Sequence, residues 1–539
     1  MNSSKRLLLA LIPAILAVGV IAGIFAGRYI GNPAGPDDSN KLRAVLQLID
    51  NEYVDDIDMD SLVEMSLPEI LASLDPHSVY ISKEEFHAAN DDLEGAFSGV
   101  GVMFQILNDT VTVVEVVPGG PAEKVGILAG DRIVTANGKK MTGAEITNED
   151  VFSTLRGSEG SKVKVEIKRQ GVAKLMKFDV IRGAVPVNSI DASYIIDKGI
   201  GYVKVNKFAK NTADEFITAL SDLQAKGARK YIVDLRGNTG GLMDQAILMV
   251  NEFLPAGQMI VYTKGRNPAN ETMAVSDGNG SFQAAELVVL TDETSASASE
   301  IFAGAIQDND RGLVIGRRSF GKGLVQNQTM LADSSAVRLT VARYYTPSGR
   351  SIQKEYKRGR DGKYEMDIVD RYNHGEFYNI DSIKLDKSKV YHTGTGRTVY
   401  GGGGIMPDIF IPQDTTGYTS YYINVMNQGL VQKFSFDLTD RYRSLLKNVN
   451  TIDRLFQVVP GDDALLNNFV DFAESNGEPS RWYYINQSRE LLIRQLKAVI
   501  ARDALGYQEF YQLLNEGDPV IERAVKELNS GNSPILIQK

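Results

Sequence analysis

The chain of 539 residues has room for about three or four domains, and its 43% hydrophobic and 23% charged residues are typical of a globular protein with an ample core. With 58 basic and 68 acidic residues the formal net charge is −10, which argues against nonspecific binding of nucleic acid. The chain has no cysteine, which excludes disulfides, cysteine catalysis, cysteine-based metal sites and a cysteine lipid anchor.

The N-terminus carries an uncharged stretch of 21 residues, Leu7 to Gly27, just after the basic pair Lys5-Arg6. A helix of this length spans roughly 31 Å, about the thickness of a bilayer core. The basic pair favours leaving this end in the cytoplasm and exporting the remainder. Residues 1–31 are therefore predicted to be a membrane anchor. A cleaved signal peptide, with a small-residue site around Ala22 to Ala26, is the alternative.

Residues 32–90 are predicted to be a linker followed by helices. The linker has two prolines, Pro33 and Pro36. Apolar residues then recur at helical spacing, first at Leu42, Val45 and Ile49 and later from Leu62 to Leu74.

Residues 91–183 contain a glycine-rich run beside strand-like segments. The run Gly99-Val100-Gly101-Val102 leads into the strand candidate Val111–Val117, and the turns Pro118–Gly120 and Gly130–Asp131 follow. The whole pattern resembles a β-rich PDZ domain. This resemblance implies that a protein C-terminus adds to a sheet edge, while backbone N–H groups of Gly99, Val100, Gly101 and Val102 hold its carboxylate. A generic small β-domain with tight turns is the alternative.

Three segments beyond residue 184 carry candidate chemistry. A glycine-rich turn can present backbone N–H groups to an oxyanion, as acyl transfer requires. A serine needs a base to become a nucleophile, and a buried lysine can serve if desolvation lowers its pKa. The pairing predicts a serine hydrolase that needs no histidine. The segments are the strand and turn Tyr231–Gly241, the run Ser295-Ala-Ser-Ala-Ser299-Glu300 between a strand (Glu286–Leu290) and a helix (Ile301–Gln307), and Phe320-Gly-Lys322-Gly-Leu-Val-Gln326.

Each segment also has a structural interpretation. Ser297-x-x-Glu300 is a capping box, which by itself marks only the start of a helix. Gly316 to Lys322 fits the opening of a phosphate-binding loop, but Gly323 stands where Ser or Thr should hold magnesium, and the residues after it indicate a strand. The four histidines (77, 87, 374 and 392) lie beside no motif that would orient them, although a Ser-His-Asp triad assembled by folding is a further alternative.

Together, and in this order, the three segments resemble the carboxyl-terminal processing peptidases, or tail-specific proteases, which are Ser–Lys peptidases with an embedded PDZ domain. The resemblance covers roughly Asp50 to Pro412. It implies that Ser297 is the nucleophile, that Lys322 is the general base and that Gln326 orients the lysine. The oxyanion donors would be the N–H of Ala298 and one from the Gly240-Gly241 turn. Ser295 and Ser299 are the alternative nucleophiles, with turn and helix cap as their other roles.

The expected fold is α/β and multidomain: a mixed α/β serine-peptidase core over residues 184–413, the β-rich PDZ domain, the N-terminal helical segment and a C-terminal helical accessory domain over residues 414–539. A polar insert over residues 353–399 interrupts the resemblance. Helical spacing around Leu492, Leu496 and Ile500 supports the last domain.

The predicted function is a serine endopeptidase of the cell envelope, anchored in the cytoplasmic membrane with its catalytic part exported, that recognises C-terminal tails of exported proteins and cleaves through an acyl-enzyme. No cofactor, metal or nucleic acid is expected. The resemblance also implies a possible homodimer through the N-terminal helices, which otherwise merely cover the core. The alternative from another class is a catalytically silent PDZ scaffold that binds tails without cutting them.

Overall fold

The computed structural model describes residues 39–107, 109–359 and 362–531. The apolar segment Leu7–Gly27 lies outside these residues, so the predicted anchor and its signal-peptide alternative remain predictions. Within the described ranges no helix is both long and apolar enough to cross a membrane. The chain divides into two compact units, Met1–Ile70 and Leu71–Lys539. The N-terminal helices predicted from the spacing are present as α1 (Ser39–Glu52) and α2 (Met59–Ala72).

The next part of the chain builds a small antiparallel sheet. Its elements, after β1 (Val79–Ile81) and α3 (Lys83–Glu94), are β2 (Ala96–Gly99), β3 (Val102–Leu107), β4 (Thr110–Val116), α4 (Pro121–Val125), β5 (Arg132–Ala136), β6 (Lys139–Lys140), α5 (Asn148–Leu155), β7 (Lys162–Lys168), β8 (Met176–Ile181) and β9 (Gly183–Pro186). The sheet order is β3-β4-β5-β7-β8, so β3 is an open edge. Side chains of β7 alternate between core and solvent, as expected of a half-buried strand.

A mainly parallel sheet forms the centre of the larger unit. Its order is that of β10 (Ile190–Asp197), β11 (Ile200–Val205), β12 (Lys230–Asp234), β15 (Glu286–Thr291), β16 (Leu313–Gly316) and β21 (Ile409–Phe410), and only the first pair is antiparallel. Every residue of β11 is buried, which is typical of a parallel strand covered on both faces. The helices α6 (Thr212–Ala225), α7 (Met243–Asn251) and α8 (Ala298–Asp308) connect these strands.

A second, antiparallel sheet lies beside the first and carries the predicted lysine segment. Its strands are β1, β13 (Met259–Gly265), β14 (Met273–Val275), β17 (Leu324–Met330) and β18 (Ala336–Tyr345), with β18 pairing to β1, β13 and β17. The strand predicted after Lys322 is thus present as β17. A phosphate-binding loop needs a helix at that point, so the nucleotide interpretation is wrong.

The polar insert is folded, and helices follow it to the end of the described chain. The described residues of the insert form the helix α9 (Lys363–Asn373), a 3₁₀ turn at Ile380–Ser382 and a hairpin of β19 (Val390–His392) and β20 (Thr398–Tyr400). The later helices are α10 (Ser420–Asn427), α11 (Leu430–Leu446), α12 (Ile452–Val458), α13 (Asp462–Ser475), α14 (Trp482–Gln487), α15 (Arg489–Ala504), α16 (Tyr507–Leu514) and α17 (Pro519–Ser530).

The C-terminal helices have two packing roles. Helices α10 to α16 bury their own core, which includes Phe434, Phe469 and Leu496. Helix α17 instead packs Val520 and its apolar neighbours against the central sheet, in one cluster with Tyr202 and Ile232. One face of the sheet is therefore covered by α6, α7 and α8, and the other by the last helix of the chain.

Candidate active site

Ser297 lies where a buried strand ends and a buried helix begins. It follows β15 and precedes α8, with backbone angles φ 55° and ψ −113°. A non-glycine residue in this region carries backbone strain, which folded proteins keep mainly at functional sites. The turn before it is fixed by Asp292 Oδ1, which accepts the N–H groups of Thr294 at 3.0 Å and of Ser295 at 3.1 Å.

The two neighbouring serines have structural roles. Ser295 is fully buried and its Oγ donates to the carbonyl oxygen of Leu235 at 2.9 Å. Ser299 is also fully buried and donates to the carbonyl oxygen of Asn238 at 2.9 Å. Both hydroxyls thus tie the serine segment to the glycine-rich loop after β12. Ser297, by contrast, is only half-buried.

The carboxylate of Glu300 joins the serine segment to the lysine segment. Oε2 accepts the N–H of Ser297 at 2.9 Å and that of Lys322 at 2.8 Å. Oε1 accepts the N–H of Gly321 at 2.7 Å and the hydroxyl of Ser319 at 2.5 Å. The predicted capping arrangement at the start of α8 is therefore present, and the same carboxylate also positions the lysine.

The pKa of Glu300 is raised to about 7 because the carboxyl is fully buried, although its hydrogen bonds to Ser319, Lys322, Gly321 and Ser297 oppose the shift. Tyr344 adds a second link between the segments. Its hydroxyl lies 2.6 Å from the carbonyl oxygen of Lys322 and 3.1 Å from that of Ser297.

Lys322 lies in a tight, half-buried position between two glycines. A Cβ on Gly321 would be 3.1 Å from the Gly404 nitrogen, and one on Gly323 would be 3.0 Å from the Gln353 nitrogen, so larger residues would push these backbones away. Burial lowers the pKa of Lys322, and the nearby Arg338 lowers it further, while Glu300 and Asp75 act in the opposite direction. The direction of this shift is the one that a lysine base requires.

Gln326 is hydrogen-bonded to the amine of Lys322. Lys322 Nζ donates to Gln326 Oε1 at 3.1 Å, and Gln326 Nε2 donates to the carbonyl oxygen of His77. Between described residues, no hydrogen bond joins Nζ to the hydroxyl of Ser297. Such contacts are often long in the absence of substrate.

The glycine-rich loop approaches Ser297 closely, because the carboxyl ends of the parallel strands β12 and β15 meet at one edge of the sheet. A Cβ on Gly240 would lie 2.7 Å from Ser297 Cβ, so only glycine fits there. The Gly240 N–H donates to Asn238 Oδ1 at 2.8 Å. The N–H groups of Gly241 and Ala298, in contrast, donate to none of the residues that the structure describes.

A turn before the PDZ-like sheet contacts Gln326, the partner of the lysine amine, and the sequence analysis did not assign it this role. Asp75 is buried, and its Oδ1 accepts the N–H groups of His77 and Ser78, both at 2.9 Å, and the Thr340 hydroxyl at 3.0 Å. This turn places the His77 carbonyl oxygen against Gln326. The signal for it was the Asp-Pro-His-Ser turn at 75–78, which is typical of an Asx turn.

Among the histidines whose side chains are described, His77 lies near Lys322. Its Nε2 is 2.7 Å from the Tyr364 hydroxyl, and its pKa is lowered to about 4 by burial and by the charge of Lys322. Because its Nε2 bonds to Tyr364, and no hydrogen bond between described residues joins the ring to Ser297, His77 does not form a Ser-His-Asp triad with Ser297. The contacts of His77 are those of a packed, partly buried side chain.

The polar insert packs against the lysine segment and is not a mere surface loop. Lys354 Nζ lies 3.8 Å from the ring centroid of Phe320 and donates to Asp367 Oδ2 at 3.0 Å. Arg371 donates to the carbonyl oxygens of Ser319 at 3.1 Å and Arg318 at 2.8 Å. The insert thus supports the backbone that carries Lys322.

The predicted carboxylate loop lies between β2 and β3, at the start of the open edge strand. Gly101 has φ 78°, and a Cβ there would be 3.2 Å from Pro121. The N–H groups of Val100 and Gly101 donate to no residue within the described part of the chain. Gly99 and Val102 belong to the flanking strands, so all four predicted residues lie at one end of the groove between β3 and α5.

Known proteins resemble the chain in three segments. Residues 199–361 match peptidase family S41, residues 112–169 match the PDZ domain, and residues 421–506 match a family of unknown function (DUF8443).

Alignments over longer stretches of the chain agree with these family matches. The chain is 34% identical over 356 residues to the carboxy-terminal processing protease CtpA of Bacillus subtilis, covering 65% of this chain and 75% of that one. It is 38% identical over 314 residues to a carboxy-terminal-processing protease of Bartonella bacilliformis, covering 57% and 71%. Among solved structures, the photosystem II D1 C-terminal processing protease is 29% identical over 60% of this chain and 92% of its own, with a TM-score of 0.33. The chain belongs to the carboxy-terminal processing proteases, serine peptidases of family S41 that contain a PDZ domain.

Proposed function

We propose that this protein is an endopeptidase that cuts near the C-termini of exported proteins, with Ser297 as nucleophile and Lys322 as general base. The observation that supports this most strongly is the Glu300 carboxylate, which binds the backbone N–H groups of both residues. The lowered pKa of Lys322 supports it further, because only the neutral amine can accept the serine proton.

In the proposed reaction, Lys322 Nζ takes the proton of the Ser297 hydroxyl as Oγ attacks the scissile carbonyl carbon. The N–H groups of Ala298 and Gly241 bind the oxyanion, and Gly240 allows the close approach. The intermediate collapses to an acyl-enzyme as Lys322 returns the proton to the leaving amine. Water, deprotonated by the same lysine, then hydrolyses the ester and releases Ser297.

Tail capture is assigned to the loop Gly99–Val102, whose amides would bind the free carboxylate while the peptide adds to the edge of β3. Location in the cell envelope, an N-terminal anchor and pairing through the N-terminal helices stay predictions. So do the domain limits at residues 31, 90, 183 and 413.

The test is cleavage of an unfolded protein with an apolar tail by the wild type and by Ser297→Ala, Lys322→Ala and the double variant. Each single change should reduce kcat at least about 10³-fold, and the double variant should be no worse, because residues that act as one unit lose function non-additively. Thermal melts and tail binding should be retained, which separates lost chemistry from lost fold.

Three outcomes would contradict the proposal in different ways. Normal cleavage by Ser297→Ala, with loss in Ser295→Ala, would assign another nucleophile. Cleavage retained in Lys322→Ala would require another base. If the wild type binds tails and never cuts them, the protein is the silent PDZ scaffold.

A further inference from the structure

The C-terminal helices extend the groove in which a peptide tail would lie. Strand β3 is the open edge of the PDZ sheet, and α5 faces it, with the rings of Phe104 and Phe152 in edge-on contact at 5.1 Å. At the far end of this groove lies a cavity of about 560 Å³. It is lined by residues 104–107 of β3, residues 146–148 at the start of α5, and Gly429, Gln432 and Lys433 at the N-cap and in the first turn of α11.

The helices are held to the PDZ sheet by charged contacts. Arg132 of β5 pairs with Asp440 of α11 at 3.2 Å, and Asp440 also pairs with Arg443 at 2.8 Å. Asp440 is buried, so this contact is screened less than an ordinary surface pair. The turn that carries Gln432 and Lys433 is therefore held in place beside the groove.

Two side chains of this turn lack partners within the described residues. Gln432 Oε1 is buried and accepts no hydrogen bond. Lys433 is exposed, forms no ion pair, and is the single charged residue that lines the cavity. A buried amide oxygen without a donor is unfavourable, and a peptide N–H or side-chain donor of a ligand would satisfy it.

The direction of a bound tail follows from the position of the carboxylate loop. With its C-terminus at Gly99–Val102, a tail that pairs with β3 runs antiparallel to it, towards Leu107. At about 3.4 Å per residue, it reaches the end of β3 after about five residues, or roughly 17 Å. The residue about five positions before the last one then lies beside Gln432 and Lys433.

We propose that the turn Gly429–Lys433 is a second recognition site for substrate tails, which selects an acidic residue about five positions upstream of the C-terminus. It rests on tail capture at Gly99–Val102, as proposed above. It would also give a role to the helical segment that matches a family of unknown function. Lys433 pairs with the acidic side chain, and Gln432 Oε1 accepts a donor from the peptide.

The experiment uses the full chain with Ser297→Ala, so that peptides bind without being cut. Fluorescent ten-residue peptides with apolar C-termini carry one aspartate, moved from the third to the eighth position from the end. We expect tightest binding with aspartate at the fifth to seventh position, by about two- to fivefold, the range for a partly exposed ion pair. Raised salt should reduce this preference.

Variants identify the residues involved. Lys433→Glu should reverse the preference, so that lysine at the same peptide position binds better than aspartate. Lys447→Glu, an exposed lysine at the end of α11 that does not line the cavity, should leave it unchanged. Gln432→Met should raise the melting temperature, because it removes the unpaired oxygen, and should still weaken tail binding.

Two results would overturn the inference. One is the same affinity for every aspartate position, and the other is an equal response to Lys433→Glu and Lys447→Glu. Paired peptides with a free or an amidated C-terminus distinguish failure of the second site alone from failure of tail capture at Gly99–Val102. If the free acid binds better but the aspartate position has no effect, only the second site is wrong. If acid and amide bind equally, tail capture at Gly99–Val102 is wrong as well.

Discussion

Glu300 is the residue on which the geometry of the site depends most directly. All four groups around its carboxylate are donors: three backbone N–H groups and the hydroxyl of Ser319. In Glu300→Gln an amide NH₂ group, which is itself a donor, replaces one carboxylate oxygen. It then faces the two donors that this oxygen accepted. We expect a loss of about 2–4 kcal/mol in the free energy of unfolding, since hydrogen bonds to a charged group contribute about 1.5–3 kcal/mol each. The fall in kcat should be larger than the rise in KM.

Denaturant unfolding and steady-state kinetics measure these two effects. The matched control is Glu293→Gln, which changes a carboxylate of the same loop that pairs with Arg317 at 2.6 Å. It should retain most of its activity. A Glu300→Gln enzyme with normal kcat would mean that this carboxylate does not set the position of the dyad.

Under the proposed mechanism, in which Lys322 is the base, its pKa governs how activity depends on pH. The base must be neutral, and the neutral fraction rises with pH, so kcat/KM should increase with pH and level off at a pH below the usual lysine pKa. Because the positive charge of Arg338 helps to lower this pKa, Arg338→Gln should move the profile to higher pH.

The control for this prediction is Arg343→Gln on the same strand, which should leave the midpoint unchanged. Kinetics at a series of pH values on a short peptide provide the measurement. A midpoint at the reference lysine value of about 10.4 would mean that burial does not tune this residue.

The sequence predicted Ser297, Lys322 and Gln326 through local motifs, and the structure brings their segments together. It predicted Glu300 only as a helix cap, because a capping box is a local pattern. Its contacts to Gly321 and Lys322 are more than 20 positions away in the chain and arise only when β15 and β16 pair. The use of the His77 carbonyl oxygen could not be predicted, because every residue has one.

At the scale of elements, the turn at residues 75–78 should affect catalysis. It does not contact the substrate and would act through Gln326 and Lys322. Asp75→Ala removes the acceptor of the His77 and Ser78 N–H groups and of the Thr340 hydroxyl. We expect an unfolding free energy lower by about 1–3 kcal/mol, and a kcat about tenfold lower, because Gln326 loses its carbonyl acceptor and no longer holds Lys322.

Thr340→Val is the matched variant, because it removes one contact of Asp75 and leaves the turn. Its effect on kcat should be smaller. If Asp75→Ala destabilises the protein while kcat stays at the wild-type value, the turn has a structural role alone.

Elements with strong periodicity were predicted well. The strands β12 and β15 and the helix α8 are confirmed within a few residues. The sequence did not predict the fold of the polar insert, because its lysines, tyrosines and aspartates leave no periodic pattern of apolar residues that would mark a helix or a strand. The insert is held in its fold by tertiary contacts, such as those of Lys354 with Phe320 and of Arg371 with Ser319.

At the scale of the whole molecule, α17 connects the C-terminal segment to the glycine-rich loop after β12. Asp518 pairs with Arg236 at 2.7 Å, and Arg236 also pairs with Asp234 at 2.7 Å, just before the Gly240-Gly241 turn. Burial alone would raise the pKa of Asp234, but Arg236 and Lys204 hold it well below its usual value. The loop that would bind the oxyanion is thus anchored partly from the far end of the chain.

Asp518→Asn tests this connection with little other change, because asparagine also caps a helix and can still accept the N–H of Val520. We expect an unfolding free energy lower by about 1 kcal/mol and a kcat several-fold lower with KM unchanged. Asp463→Asn, which removes an exposed pair with Arg489, is the control and should change neither. Equal kcat in the two variants would show that α17 does not affect the loop.

The helices after residue 414 were predicted from spacing, but their partners were not. An apolar stripe shows which face of a helix is buried, but it does not identify the element that covers this face. The contacts of Asp440 with the PDZ sheet and of Val520 with the central sheet depend on the path of the whole chain.

The backbone angles of Ser297 have a consequence for selection. Glycine would adopt φ 55° without the strain of a side chain, so Ser297→Gly should be more stable than either Ser297→Ala or the native chain. A screen that rewards stability alone would then favour loss of the proposed nucleophile. The serine persists at this position only while cleavage itself is selected.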